Sequence, residues 1–167
     1  MAHCAISNAK LGHGVAPVTE MLDAGIDVGL GSDSMASNNH MDLLAEARAA
    51  SLAQNARLQR HDALPAATAL RLATINGARA LGLGDEIGSL EVGKAADLAA
   101  FPIPDRRVPN YDATATAIFT MPGTGALFVC VAGRELVRDY RLVRSDATLL
   151  TRVADTVVRV RAWAQSA

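Results

Sequence analysis

The sequence has few of the residues that mark several large classes of protein. Only two cysteines, Cys4 and Cys130, occur in 167 residues, which argues against a disulfide framework or a four-cysteine zinc cluster. The 16 basic and 17 acidic residues nearly cancel, and the longest basic run is the pair Arg106 and Arg107, so no nucleic-acid partner is expected. No apolar stretch approaches the roughly 18 residues of a membrane span, and no secretion signal is recognisable. We therefore expect a cytoplasmic protein that does not bind membranes.

Several common catalytic patterns are also missing. The four histidines include no pair at a spacing of two or four, so the chain has no histidine-rich zinc site of its own. A Gly-x-Ser-x-Gly nucleophile elbow, a phosphate loop and a Gly-x-Gly-x-x-Gly fingerprint are all absent. The His-x-Glu and Pro-Cys-x-x-Cys signature of cytidine-type deaminases is absent as well. Any chemistry must therefore come from isolated, well-placed side chains.

What the sequence does contain is the pattern of a folded α/β protein. Half of the residues are hydrophobic and a fifth are charged, as in ordinary globular domains. Residues 2–7 predict a buried strand that leads into a polar loop over 8–14. Pro17 and Gly25 bracket a short helix, and residues 26–30 predict a second strand. This order is typical of a parallel βαβ unit.

Two longer helices are expected after the second strand. Residues 40–60 predict a long helix with Glu46 and Arg48 on its outer face, and residues 65–81 predict a second helix that ends before Gly82. Two parallel strands cannot form a complete buried sheet by themselves. Either the chain oligomerises to complete the sheet, or it is the C-terminal portion of something longer.

The second half of the chain predicts β-structure. Glycines and prolines, among them Pro104 and Pro109, separate short apolar runs, and the runs at 126–132 and 135–144 flank Gly133 as the strands of a hairpin would. Residues 148–164 then predict an amphipathic helix. Its apolar stripe consists of Leu149, Val153, Val157, Val160 and Trp163.

Two residues stand where chemistry is expected in such a fold. Asp33 lies at the end of the second predicted strand, inside the polar segment 31–39, and ligands collect at that end of parallel strands. It is either a metal-binding or substrate-binding carboxylate, or part of a Ser/Asn cluster that caps the following helix. His3, near the end of the first strand, is either a binding residue or a hydrogen-bonded core histidine. The other three histidines are expected to be solvated.

Four segments, in order, resemble the metal-dependent amidohydrolase superfamily in its deaminase and chlorohydrolase branch. AHCAISNAKLGHGVAPV at 2–18 resembles the segment around the seventh strand of those proteins, and GLGSDSMASNN at 29–39 resembles the segment around the eighth. ATINGARALG at 73–82 resembles their next helix, and IGSLEVGKAADL at 87–98 their return to a small β domain. The branch includes deaminases of S-adenosylhomocysteine and methylthioadenosine.

The resemblance implies an α/β fold that is the C-terminal part of a (β/α)8 TIM barrel. Residues 1–81 would supply strands seven and eight with their helices, and 82–143 would supply the C-terminal share of a small β-sandwich. Residues 144–167 would form a terminal amphipathic helix. Both barrel and sandwich would be completed by an N-terminal portion that this chain does not contain.

The resemblance also implies a function. It is that of a hydrolase or deaminase acting on C–N or C–halide bonds of aminated nitrogen heterocycles, such as purine nucleosides or triazines, with one divalent metal, zinc or iron. Asp33 matches the catalytic carboxylate that binds the metal and accepts a proton from the attacking water. Ser37 and Asn38, together with His3, are expected to bind the substrate. Ser34, Met35 and Ala5 differ from the residues common in the family, and these differences bear on the substrate.

The family's remaining metal ligands lie upstream of the segments matched here. A zinc ion takes about four ligands and this chain offers one, so we expect the chain alone to hold no metal and to be inactive. Its expected partners are the missing N-terminal barrel portion, a heterocyclic substrate and other copies of itself in a homo-oligomer. The alternative is a non-catalytic scaffold or assembly module that has kept the fold and lost the chemistry.

Overall fold

A computed structural model describes residues 1–103 and 112–166 of the chain. In the described residues, a two-stranded parallel sheet and a four-stranded antiparallel sheet are combined with eight helices. The expected α/β character is confirmed. Pro104, Pro109 and the pair Arg106 and Arg107 lie outside the described residues, as does Ala167 at the end of the predicted terminal helix.

The parallel pair consists of β1 (Ala2–His3) and β2 (Gly29–Leu30), with Ala2 opposite Gly29 and His3 opposite Leu30. The predicted strand over 2–7 is wrong beyond its first residues, because helix α1 (Ala5–Leu11) begins at Ala5. A short apolar run cannot by itself distinguish a strand from a buried helix. Gly12, in the left-handed conformation with φ of 72°, ends α1.

Helix α2 (Val18–Asp23) confirms the helix expected between Pro17 and Gly25. The polar segment after β2 was predicted as a loop, but it contains the one-turn helix α3 (Met35–Asn38). Helix α4 (Leu43–Leu58) confirms the long helix predicted over 40–60.

The single helix predicted over 65–81 is divided into α5 (Ala66–Leu72) and α6 (Ile75–Ala80). The break falls at Thr74, whose side-chain Oγ1 donates to the Leu70 carbonyl oxygen at 2.8 Å, while its backbone N–H bonds to Arg71 instead. A threonine hydroxyl that takes the place of the regular backbone donor competes with helix formation.

Helix α6 packs very closely on β2. A Cβ atom added to Gly29 would lie 2.7 Å from the Cα atom of Gly77. Because that distance is shorter than real contacts allow, position 29 needs glycine for the two backbones to meet, whereas a Cβ atom on Gly77 would lie 3.3 Å from the Leu72 carbonyl oxygen and 3.8 Å from the Gly29 Cα atom. The approach fixes α6 against the end of the parallel pair that is opposite to Asp33.

The antiparallel sheet has the order β3 (Leu98–Ala100), β4 (Phe128–Val131), β5 (Arg134–Arg138) and β6 (Arg141–Leu142). The hairpin expected around Gly133 is confirmed. Its two turn residues, Ala132 and Gly133, have φ of 48° and 74°, as the tight turns of β-hairpins require. The predicted boundaries at 81 and 143 stay predictions.

Helix α7 (Ala113–Thr120) lies between β3 and β4 along the chain, within a half that the sequence predicts as β. Its alternation of alanine and threonine is typical of a strand, but Asp112 caps it by accepting hydrogen bonds from the Thr114 and Ala115 amides at 2.8 and 3.1 Å. Helix α7 packs on α4 and α5, where Ile118 is fully buried.

The hydrophobic core is centred on α4, α5 and α7 and consists of aliphatic side chains that range from alanine to leucine. The members that are fully or almost fully buried are Val18, Val28, Ala47, Ala50, Leu64, Ala69, Leu72 and Ile118. The small side chains of Ala47 and Ala50 on α4 and of Ala69 on α5 allow these two helices to approach each other closely. Helices α1 and α4 are in contact as well, and this brings the start of α1 next to the segment that follows β2.

The chain ends with α8 (Leu149–Ser166), which confirms the predicted amphipathic helix. All of its residues are exposed, including the whole apolar stripe, and Trp163 is 70% accessible. Of the helices in the described part of the chain, none combines the length and apolar character needed to cross a membrane.

Candidate functional site

Asp33 stands three residues beyond β2, at the C-terminal end of the parallel pair. Its backbone is in the left-handed region, with φ of 59°, which is uncommon for a residue other than glycine and is tolerated best by Asn and Asp. Its carboxylate is exposed and has donors on both oxygens. Oδ2 accepts from the Ser7 hydroxyl at 2.7 Å, and Oδ1 accepts from the Ser34 backbone N–H at 2.7 Å.

These donors stabilise the ionised form of Asp33. The Ser7 hydroxyl contributes most, followed by the Ser37 hydroxyl and the Ser34 amide, and together they hold the pKa of Asp33 below its usual range. His13 adds a smaller favourable charge interaction. Asp33 is therefore an anion at neutral pH, with lone pairs on both oxygens that can still face a cation.

The helix-capping interpretation of Asp33 is wrong in its detail. The N-cap of α3 is Ser34, whose side-chain oxygen accepts from the Ser37 amide at 3.3 Å. Asp33 precedes the cap and only bonds to the amide of the capping residue. The Asp33 carboxylate therefore does not cap α3 and can still bind other groups.

The two other expected site residues of this segment differ in exposure. Ser37 is half-buried, and its hydroxyl donates to the Ser34 carbonyl oxygen at 3.0 Å. Asn38 is buried, and its Nδ2 donates to the Ser32 carbonyl oxygen at 2.6 Å and to Glu46 Oε1. The Oδ1 atom of Asn38 is buried and has no hydrogen-bond partner among the described residues.

His3 lies on β1 and is only 3% exposed. Burial lowers the pKa of its imidazole, so the ring is neutral at pH 7. Its Nε2 atom finds no hydrogen-bond partner in the described part of the chain. The ring borders a cavity of about 290 Å³, together with Asn8 of α1 and Ala53 of α4.

Glu46 was expected on the outer face of its helix, and this expectation is wrong: the side chain is fully buried. Its Oε2 accepts from the Ile6 backbone N–H at 3.1 Å, and its Oε1 accepts from Asn38 Nδ2. The packed face of α4 is made of small and polar residues, whereas Leu43 and Leu52 are exposed. A search for large apolar residues therefore misplaces Glu46, whereas Arg48 is exposed as expected.

Cys4 is half-buried and stands close to the same segment. A Cβ atom on Gly31 would lie 3.2 Å from its Sγ atom. Burial is the main cause that raises the pKa of the Cys4 thiol, and the nearby charges of Asp33 and Glu46 add to it. The thiol is therefore protonated at neutral pH when no metal is bound.

The donor set for a metal ion is incomplete within the structure. Over residues 1–103 and 112–166, no group of three His, Cys, Asp or Glu side chains is arranged to hold a metal. Asp33 fits one position of a zinc site, since it is anionic and accessible and carboxylate oxygen is a usual zinc ligand. The described chain therefore offers one ligand of about four, and the full site does not fit within it.

The comparison with protein families decides the classification. A model of the amidohydrolase family matches residues 1–136. The chain belongs to the amidohydrolase family. The resemblance that the four sequence segments indicate is thereby confirmed, and the α/β arrangement of the chain is consistent with a partial amidohydrolase domain.

Among curated relatives, the chain is 45% identical over 149 residues to the 5-methylthioadenosine/S-adenosylhomocysteine deaminase of Moorella thermoacetica, a match that covers 88% of this chain. It is 37% identical over 147 residues to the 5'-deoxyadenosine deaminase of Methanosarcina barkeri, with 87% of this chain covered. The chain spans only 35% and 34% of the lengths of these two relatives.

Solved amidohydrolase structures give the same result. An adenosine deaminase from Xanthomonas campestris with bound zinc superposes with a TM-score of 0.92 and 36% identity, over 96% of this chain and 37% of that one. An atrazine chlorohydrolase from Arthrobacter aurescens complexed with zinc superposes with a TM-score of 0.80 and 38% identity, over 94% of this chain and 35% of that one. Both neighbour structures contain zinc, and this chain is similar to about a third of each.

Proposed function

We propose that this chain is the C-terminal portion of a zinc-dependent deaminase that releases ammonia from an adenosine-type nucleoside. The relatives named for deaminases of 5-methylthioadenosine, S-adenosylhomocysteine and 5'-deoxyadenosine support this substrate class. The neighbour that acts on atrazine supports the wider class, hydrolysis of C–N or C–halide bonds on nitrogen heterocycles. The chain by itself is inactive in this proposal.

The observation that carries the proposal is the Asp33 carboxylate at the C-terminal end of the parallel pair. It is exposed, and the Ser7 hydroxyl and the Ser34 amide hold it in one orientation. A preorganised anion at that place is what a metal ligand and proton acceptor require. The left-handed backbone at Asp33 is consistent with a functional constraint on this residue.

In this proposal Asp33 occupies one ligand position of a zinc site, and the N-terminal portion supplies the others. Zinc, when bound, lowers the pKa of a coordinated water to about 7. Asp33 orients the attacking water and accepts its proton on a carboxylate oxygen. Ser7 and Ser34 keep the carboxylate in place while the proton is held, because each donates to a different oxygen.

The three expected substrate residues take different roles in this proposal. Ser37 is only half-buried and stands at the same edge as Asp33, so its hydroxyl would contact the heterocycle or its sugar directly. Asn38 and His3 are buried and would hold neighbouring parts of the site in position without contacting the substrate. The neutral ring of His3 adds no charge to the substrate pocket.

The experiment is a hybrid enzyme. The part of the Moorella thermoacetica relative that precedes its matched segment is joined to the start of this chain, and the product is loaded with zinc. Ammonia release is measured from 5'-methylthioadenosine, S-adenosylhomocysteine, 5'-deoxyadenosine and an aminotriazine. Turnover of a nucleoside supports the proposal. A folded, zinc-loaded hybrid that turns over none of them contradicts it and favours a non-catalytic assembly module.

A further inference from the structure

Glu46 is the only carboxylate among the described residues that is completely excluded from solvent. No described Lys, Arg or His forms an ion pair with it. Burying an unpaired carboxylate is costly unless hydrogen bonds satisfy its oxygens. Both oxygens are used, one by α1 and one by the segment after β2, so the side chain joins two elements that are distant in sequence.

The contact with α1 replaces a missing helix cap. The first amides of a helix need acceptors from outside the helix. At the N-cap of α1 stands Cys4, which makes no side-chain cap bond, and the first turn contains no acidic residue. Glu46 of α4 supplies the acceptor instead, through the bond from the Ile6 amide to Oε2. The start of α1 is therefore held in place by α4.

The contact with Asn38 closes the loop that carries Asp33. Nδ2 of Asn38 donates to Glu46 and also to the Ser32 carbonyl oxygen, six residues earlier. Asn38 thus closes the segment 32–38 by bonding back to Ser32, and Glu46 holds the Asn38 side chain. Asp33 lies within this segment, and its second support, Ser7, lies on the first turns of α1.

We propose that Glu46 is a positioning residue for Asp33, because it fixes both the loop that bears the carboxylate and the helix that bears its Ser7 donor. Glu46 makes no described hydrogen bond to Asp33 and has no part in the reaction itself. The inference rests on the proposed function only for what Asp33 does; the geometry that Glu46 holds can be measured without catalysis.

The first test uses the 167-residue chain itself and measures amide hydrogen exchange. Glu46→Gln keeps the shape of the side chain but leaves one acceptor where two are needed. We expect the amides of Ile6 and of residues 37–39 to exchange about tenfold faster or more, as for a lost buried partner. The matched control is Ser51→Ala, which removes a buried bond from the same helix to the Leu64 carbonyl oxygen and leaves these amides as they are in the parent chain.

A second variant separates the two contacts of Glu46 and covers the case in which Glu46→Gln fails to fold. Asn38→Ala removes only the loop side, so residues 37–39 lose protection while the Ile6 amide, still bonded to Glu46, keeps it. The positioning role is wrong if the amides of Ile6 and of residues 37–39 exchange at the same rate in Glu46→Gln as in Ser51→Ala. It is also wrong if the amides of residues 37–39 stay protected in Asn38→Ala.

The hybrid enzyme then gives the catalytic readout. Glu46→Gln should lower kcat about 10- to 100-fold, the usual effect of losing support for a metal ligand, while Ser51→Ala keeps kcat within about twofold and only lowers stability. An active hybrid in which Glu46→Gln leaves kcat unchanged overturns the inference. A hybrid that is inactive in every form overturns the proposed function instead, and the exchange data decide the role of Glu46 independently.

Discussion

The hydroxyl of Ser7 and the carboxylate of Asp33 are joined by a hydrogen bond of 2.7 Å, from Oγ to Oδ2. Ser7 is buried in α1, whereas Asp33 is exposed after β2. The Ser7 hydroxyl on α1 thus stabilises the ionised form of the Asp33 carboxylate that follows β2. Serine is a suitable donor because its hydroxyl is short and can rotate toward the carboxylate.

The bond predicts a change in titration. Ser7→Ala removes the largest cause that lowers the pKa of Asp33, so that pKa should rise toward its ordinary value of 3.8. NMR titration of the metal-free chain measures it. Because the folded pKa is depressed, the stabilisation that Asp33 contributes is present above the unfolded pKa and is lost as the pH falls through the folded one. Ser7→Ala brings the folded pKa of Asp33 closer to the unfolded one, so the carboxylate should contribute less to the free energy of unfolding at neutral pH.

The control for this titration is Ser32→Ala. The Ser32 hydroxyl donates to the Asp33 backbone carbonyl oxygen and not to its carboxylate, so this variant should leave the pKa of Asp33 as it is in the parent chain. Equal pKa values in the parent and in Ser7→Ala would show that the hydroxyl does not hold the carboxylate.

The sequence predicts the elements that depend on local rules. Asp33 at a strand end, the helix between Pro17 and Gly25, and the hairpin around Gly133 follow from turn chemistry and from the order of strands and helices. The family resemblance, which depends on four ordered motifs, adds the expected family, the metal and the role of Asp33. Composition and spacing alone could not predict these.

The sequence does not predict the features that depend on tertiary contacts. The spacing of the apolar residues over 40–60 predicts Glu46 on the outer face of its helix, and the meeting of α1 with α4 buries it. Helix α7 lies in the half that the sequence predicts as β from its glycines, prolines and short apolar runs, while packing on α4 and α5 decides the outcome. The break at Thr74 depends on a single hydroxyl that bonds to Leu70.

The close approach of β2 and α6 predicts a strong steric effect. Gly29→Ala would place a methyl group 2.7 Å from the backbone of Gly77, so the free energy of unfolding should fall by about 1 to 3 kcal/mol. Urea denaturation measures it. The control is Gly125→Ala, where the nearest atom, on Tyr140, is 3.6 Å away. Equal stability of the two variants would contradict the predicted packing.

Asp42 predicts a second stability effect. One carboxylate oxygen caps α4 by accepting from the Leu44 and Ala45 amides, and the other accepts from the Gly123 amide at 2.6 Å. Asp42→Ala should therefore cost about 1 to 2 kcal/mol, at the upper end for a lost cap. Asp62→Ala, which removes an exposed ion pair with Arg60, should cost less than about 1 kcal/mol. If Asp42→Ala lowers the free energy of unfolding less than Asp62→Ala does, then Asp42 does not stabilise the chain both as the cap of α4 and as the acceptor for Gly123.

The exposed face of α8 predicts self-association of the isolated chain. Val153, Val157 and Val160 are 51%, 42% and 55% accessible on one stripe, and uncovered apolar surface of this kind promotes association. Light scattering after size exclusion should detect species larger than 17.4 kDa. Val153→Glu combined with Val160→Glu should shift the chain toward monomer, whereas charge added on the opposite face, as in Thr151→Glu, should not. A parent chain that stays monomeric at high concentration would contradict this prediction.

The most direct test of the account is the effect of Asp33→Asn on the turnover of the zinc-loaded hybrid enzyme, with the exposed Asp155→Asn on α8 as its matched control. The neutral amide loses the charge that holds the metal and cannot accept the proton of the attacking water, so kcat/KM should fall by several orders of magnitude, while Asp155→Asn keeps the parent rate. If Asp33→Asn retains more than about a tenth of the parent rate, a change below about 1.4 kcal/mol in the barrier, then Asp33 is not the catalytic carboxylate.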